Sequence, residues 1–207
     1  MEYTPPLILA GKMEQMKQEK ENVDGLLFVH PGLVVRSRLL EQRKIFLWGP
    51  VDEGSSKTIV EQLAYLDQQS AEPIHMYINC QGGMVTAGYA MYDMMQAASS
   101  PVYTYCIGFA ASMGSILLSG GEKGNRYIYP TAEVMIHQPS MGGFQGNLAD
   151  IEITARQIAK TKELTATLLA ANCGQTKQRI LKDFDRDYWM SAKEAVEYGI
   201  VDKIVTP

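Results

Sequence analysis

A chain of 207 residues, 46% apolar and 20% charged, has the composition of a globular domain that buries its own core. A formal net charge of −4, with Lys and Arg scattered and no basic stripe, gives no sign of binding to nucleic acid or anionic membrane, and no apolar run nears the roughly 20 residues of a bilayer span. Three cysteines, Cys80, Cys106 and Cys173, are an odd number without a CxxC pair; this argues against a disulfide framework or zinc site and fits a reducing, cytoplasmic setting.

Residues 1–35 read as an irregular arm, with Pro5-Pro6 breaking regular structure and the polar stretch 13–22 forming at most an exposed helix. The arm has no basic segment ahead of its short apolar patch, so it resembles neither a secretory signal nor an Arg-rich transit peptide. From residue 36 the patterning sharpens and runs to 207 as one domain. RSRLLEQRKIFLWGPV reads as a short helix and then a buried strand closed by Gly49-Pro50. Residues 55–69 place Ile59, Leu63 and Leu66 on one helical face. IHMYIN (74–79) is a strand, and QGGMVTAGYAMYDMMQAA (81–98) is a glycine turn running into a helix.

The alternation repeats. VYTYCIG (102–108) is a strand and AASMGSILLSGG a helix stopped by glycine. NRYIYP and EVMIHQP are extended segments either side of Pro130, and SMGGFQGN is a pliable glycine-rich stretch. Residues 149–175 form a long amphipathic helix ending at Gly174; short helices near 176–183 and 191–198 and a last strand follow. Repeated strand–helix units predict an α/β fold with a mainly parallel sheet covered by helices.

The scarcest catalytic group is the base. Of three histidines, His30 lies in the arm and His75 inside a strand, whereas His137 ends an apolar strand just before Pro139 and the glycine-rich stretch. That is where a rigid scaffold meets solvent, and it suits a general base. Gly82-Gly83, between a strand and a helix, is the kind of turn whose backbone N–H groups hold a developing negative charge. Ser112 follows a strand and opens a helix, the context of a projecting nucleophile, although A-A-S-M-G is not a G-x-S-x-G elbow. Ser115 stands beside it, and either serine alone reads more readily as a small packing residue than as a nucleophile. Asp183, Asp185 and Asp187 flank Arg186; any of the three carboxylates could orient a histidine, and spacing does not choose among them.

Together AASMG with Ser112, EVMIHQP with His137, INCQGGMVTAG and DRDYWMSAKEAVEYGIVDKIV resemble the proteolytic subunit of the Clp protease, in order and spacing, from about Ser37 to the end. The resemblance implies a ClpP/crotonase-like β-α superhelix with a protruding strand–helix handle over about 138–172. It implies a serine endopeptidase with Ser112 as nucleophile, His137 as base and Asp187 orienting it, and with the amides of Gly83 and Met113 as the oxyanion hole. Ser115 reverts to packing. Gly142, Gly143, Phe144 and Gln145 would form a strand that binds unfolded polypeptide by strand addition, and Asp185 and Arg186 would lie at a ring–ring contact. The family works as two stacked seven-membered rings fed by an AAA+ unfoldase of the Clp family, in some cases mixed with a related subunit. Its chemistry takes no cofactor or metal and involves neither nucleic acid nor membrane.

Two departures stand out. The family usually writes N-S-P-G-G where this chain has Asn79, Cys80, Gln81, Gly82 and Gly83; without the proline ring a looser oxyanion turn is expected. The unfoldase-docking positions read Ala64, His75, Tyr77, Ala97 and Tyr127, less apolar than in relatives, which predicts weaker docking or its transfer to a second subunit. Two rival readings remain beside the protease: an inactive scaffold subunit of a mixed particle, and a crotonase-type acyl-CoA enzyme whose glycine turn polarises a thioester.

Overall fold

The computed structural model describes residues 31–140 and 147–206. Most of the arm and the expected substrate strand, Gly142, Gly143, Phe144 and Gln145, lie outside the described residues. The chain divides into two units, residues 1–42 and 43–207. In the first, helix α1 (Pro31–Glu41) opens on proline, whose fixed φ suits the first helical position, and carries an Arg38–Glu41 ion pair of 2.9 Å.

The second unit alternates β1 (Lys44–Trp48), α2 (Glu53–Gln69), β2 (Ile74–Cys80), α3 (Val85–Ala97), β3 (Val102–Ala111) and α4 (Met113–Ser119). It continues with β4 (Arg126–Ile128), β5 (Glu133–Ile136), α5 (Leu148–Cys173), α6 (Lys177–Asp183), β6 (Tyr188–Ser191), α7 (Ala192–Tyr198) and β7 (Lys203–Ile204). Caps set several of these bounds. Asp52 and Ser55 exchange a capping box at the start of α2, Ser191 and Glu194 do so at α7, and left-handed Gly174 ends α5.

The strands form one sheet in the order β1-β2-β3-β4-β7, with β5 pairing β3 and β6; every pairing is parallel except β5 with β6. The expected mainly parallel α/β architecture is therefore present. Strands β1 and β2 and the first half of β3 alternate, however. Ile45, Leu47, Ile74, Met76, Ile78, Val102, Thr104 and Cys106 are buried, while Phe46, His75, Tyr77, Tyr103 and Tyr105 remain partly open. Parallel sheets usually bury both faces and read as continuous apolar runs, so one face of this sheet is not fully covered within the single chain.

The feature that builds the site is a break in register between β2 and β3. Ile78 pairs with Cys106, but Cys80 pairs with Ala110, so β3 holds two extra residues around Gly108. Gly108 has φ +72, and a side chain there would meet the amide of Asn79. Beyond this bulge β3 leaves β4 and pairs with β5 through Phe109, Ala110 and Ala111. The sequence reading placed Ala110 and Ala111 in a helix; they are the last strand residues, because β5 supplies them with ladder hydrogen bonds.

At the opposite end of the strands Arg126, only 3% exposed, forms an ion pair of 2.6 Å with Asp202 and donates to the carbonyls of Ser119 and Asn172. Burial by itself would raise the Asp202 carboxyl. Hydrogen bonds from the side chain and amide of Arg126 outweigh it and hold the group below the usual carboxylate range. A depressed folded pKa means that the stabilisation is complete above the unfolded carboxylate pKa of about 3.9 and is lost as pH falls through the folded value. Asp202→Asn should therefore lower stability at neutral pH, and the gap to the parent chain should close in acid; denaturant unfolding at a series of pH values checks both.

Candidate functional site

Strand register brings three distant residues together. Ala111 pairs with Met135 in the parallel β3–β5 ladder, so the residues that leave the two strands, Ser112 and His137, emerge side by side. Ile136 pairs with Tyr188 in the antiparallel β5–β6 ladder, so the next pair outward in that register is His137 with Asp187. The side chains meet accordingly: His137 Nε2 lies 2.8 Å from Ser112 Oγ, and His137 Nδ1 lies 3.0 Å from Asp187 Oδ1. The histidine is part-buried, and Asp187 is 62% exposed.

The other candidates fall elsewhere. Ser115 is buried and its hydroxyl donates back to the Ser112 carbonyl at 2.6 Å within the first turn of α4. Asp183 accepts from Arg179 and from the Tyr198 hydroxyl. Asp185 accepts from Gln138 Nε2 and lies 3.9 Å from Lys162, while Arg186 is highly exposed and donates to the Asp185 carbonyl. Of the three aspartates left open by spacing, Asp187 is the one that reaches His137. A depression of about 590 Å³ beside the pair is lined by His137, Gln138, Ser140, Asp185, Arg186 and Asp187.

Ser112 stands at φ +55 and ψ −122, a backbone region that favours glycine. Its amide donates to the Met135 carbonyl at 2.9 Å, its carbonyl accepts from Ser115, and this sharp turn throws the hydroxyl toward His137. Met113, the first residue of α4, has no carbonyl one turn back within the helix for its N–H.

Gly82 packs against this turn so closely that a methyl group on it would come 2.6 Å from Ser112 Cβ and 2.9 Å from Met113 N. Gly83 bridges Val51: Val51 N–H donates to the Gly82 carbonyl and Met84 N–H to the Val51 carbonyl, which leaves the Gly83 amide on the opposite side of the chain. The expected oxyanion donors Gly83 and Met113 thus belong to two segments in contact. The turn expected to be loose without a proline is held by Val51 on one side and by Cys80 Sγ, which accepts the Gly82 N–H at 3.2 Å, on the other.

Sequence reasoning missed several supporting groups. The Met135 carbonyl, the Asn79–Gly108 contact and the Lys162 Nζ–Gln138 Oε1 hydrogen bond of 2.8 Å leave no local pattern. Gly82 was visible in the glycine pair, but its clearance from Ser112 was not. No nearby thiol competes as a nucleophile: burial raises Cys80, and pushes both Cys106 and Cys173 up to about 12. Among the described residues no group of three or more His, Cys, Asp or Glu is placed to hold a metal ion, and no helix is long and apolar enough to cross a membrane.

Of the expected docking positions, His75, Tyr77 and Tyr127 lie on the open sheet face, whereas Ala64 and Ala97 lie in α2 and α3. Tyr77 and Tyr127 sandwich Tyr105, and Phe46 continues the stack; successive centroids are 5.1, 4.7 and 4.8 Å apart across β1, β2, β3 and β4. The His75 ring is 2.9 Å from the Tyr105 hydroxyl, Ala64 is half-buried and Ala97 is exposed. Phe46 and Tyr105 make the face more aromatic than the five expected positions indicate. A comparison with protein-family models matches residues 32–207 to the family described as Clp protease.

The positive φ at residue 112 gives a test of the turn that does not depend on chemistry. Ser112→Gly should be more stable than Ser112→Ala by about 1 kcal/mol, since glycine adopts this conformation without a Cβ penalty. Equal denaturation midpoints for the two variants would contradict a strained turn.

Proposed function

The chain belongs to the Clp protease family, and from that premise we propose that it is a serine endopeptidase, the proteolytic subunit of a Clp particle that hydrolyses unfolded polypeptides. The observation that carries this reading is the continuous hydrogen-bonded path from Ser112 Oγ through His137 to Asp187 Oδ1. It is the order a nucleophile, a base and an orienting acid require.

In this mechanism His137 Nε2 takes the Ser112 proton as the hydroxyl oxygen attacks a peptide carbonyl carbon. Asp187 fixes the tautomer with Nδ1–H and stabilises the imidazolium. The negative charge that develops on the carbonyl oxygen falls between the Gly83 and Met113 amides, each such donor being worth about 3 kcal/mol in the transition state. His137 then protonates the leaving amine, and water, activated by the same base, releases the acyl group from Ser112.

Residues 36–207 form the peptidase domain, with a handle over about 138–172 and an arm over 1–35. Gly142, Gly143, Phe144 and Gln145 hold extended substrate backbone, and Asp185 and Arg186 meet an opposed ring in a particle of two stacked heptamers. An AAA+ unfoldase of the Clp family docks on the open sheet face; the stacked Phe46, Tyr77, Tyr105 and Tyr127 supply rigid aromatic anchors, which supports docking on this chain itself. The particle works in the cytoplasm.

Hydrolysis of a short fluorogenic peptide and labelling of Ser112 by a fluorophosphonate test the reading. Ser112→Ala and His137→Ala should each lower kcat by at least about 10³-fold, and the double variant should be little worse than either, because the groups act as a unit. Acyl-CoA turnover that survives Ser112→Ala would favour the crotonase-type reading, and an assembled particle that never labels would favour the scaffold.

A further inference from the structure

Cys80 ends β2, is fully buried, and its side chain touches both segments that carry the proposed oxyanion amides. On one side its Sγ accepts the Gly82 N–H at 3.2 Å. On the other it lies under the first turn of α4: a methyl on Gly114 would come 3.1 Å from Cys80 Cβ and 3.2 Å from Sγ. Gly82 is bonded to Gly83, and Gly114 to Met113. A displacement of the Cys80 side chain therefore reaches both amides through one peptide unit each.

The hydrogen bonds of the turn show what this contact does. Val51 engages the Gly82 carbonyl and the Met84 amide, and Cys80 engages the Gly82 amide; the Gly83 amide finds no partner among the described residues. Without the sulfur acceptor, Gly82 N–H would be buried without a partner, and the peptide plane between Gln81 and Gly82 would be free to rotate toward another acceptor. The adjoining Gly82–Gly83 peptide would then be held only through its carbonyl by Val51, and the Gly83 N–H would be less sharply aimed. Burial keeps Cys80 a neutral thiol, so it acts as an acceptor rather than as a reactive group.

We propose that Cys80 is a positioning residue of the hydrolytic site, tethering the Gly82–Gly83 turn and backing the start of α4 so that the Gly83 and Met113 amides converge on the carbonyl oxygen of the bound peptide. This inference rests on the hydrolase reading above and adds a residue that never touches substrate.

Two variants of nearly equal size separate positioning from packing. Cys80→Ala keeps an apolar side chain and removes the acceptor; Cys80→Ser keeps an acceptor and places a polar group in the core. A packing role ranks Ala at or above Ser, and a positioning role ranks Ser above Ala. In the assembled full-length protein, Cys80→Ala should lower kcat for a short peptide about five- to tenfold with KM unchanged, the size of effect expected for one modest hydrogen bond. The inhibition constant of a peptide boronate, whose tetrahedral adduct uses the same amides, should rise by the same factor. Amide exchange in the 81–84 segment should quicken. Cys80→Ser should return all three measurements to within about twofold of the parent.

Alanine performing as well as serine, a change confined to KM, or unaltered amide exchange in Cys80→Ala would each overturn the proposal. A parent protein that neither labels at Ser112 nor cleaves peptide overturns the hydrolase reading itself, and this one with it; that result is told apart because it appears before any variant is made.

Discussion

The end of β3 is the constraint from which the rest of the site follows. Between Cys106 and Ala110 the strand takes two extra residues, turns at Gly108 and exchanges β4 for β5 as its neighbour. That exchange sets Ser112 beside the exit of β5 and hence beside His137. It also forces the tight turn in which Ser112 holds φ +55, with its amide anchored on the Met135 carbonyl. A straight β3 would keep β4 as its partner and carry Ser112 away from β5. The bulge and the strained serine are two consequences of one change of strand partner, and such strain, of order 1–3 kcal/mol, persists only where surrounding contacts over-determine it.

Glycines do different work on each side of this junction. Gly82 is there for clearance, since any side chain would collide with Ser112 and Met113. Gly83 holds φ +146 and sits against Val51, where a Cβ would clash with the Val51 backbone. The doublet satisfies two neighbours at once, Val51 just after β1 and Ser112 just after β3. This explains how the turn tolerates Gln81 in place of a proline: its geometry is imposed from outside by Val51, Cys80 and Ser112 and depends less on the φ restraint of the residue before it.

Much of this was legible in the chain itself. Period-two alternation in IHMYIN and VYTYCIG, apolar spacing in the helices and the Gly174 stop gave the elements and the parallel order, because they record local burial and capping. The serine, the histidine and the glycine pair were found because each sits at a strand end. What stayed hidden was long-range. Nothing local distinguishes Asp187 from Asp183 or Asp185; the difference is the antiparallel pairing of Ile136 with Tyr188, a register between strands some fifty residues apart. The β3 bulge was hidden for the same reason, and so Ala110 and Ala111 read as helix. The aromatic ladder was missed because its four rings come from four strands.

Asp187 raises a further question of physics, because a carboxylate that is mostly exposed has little to hold it against an imidazole. Its side chain gains little from a dry environment, and exposed ion pairs contribute on the order of 1 kcal/mol or less. The backbone supplies the constraint instead. The Gln138 amide donates to the Phe184 carbonyl at 2.5 Å, and the Gln138 side chain donates to the carbonyl and carboxylate of Asp185. Lys162, from the middle of α5, closes the group by donating to Gln138 Oε1. These bonds join the residue after His137 to the residues before Asp187, so the two partners are fixed as ends of one braced loop rather than by their own attraction. Lys162 thereby ties α5 into the same brace without touching the side chain of His137 or Asp187.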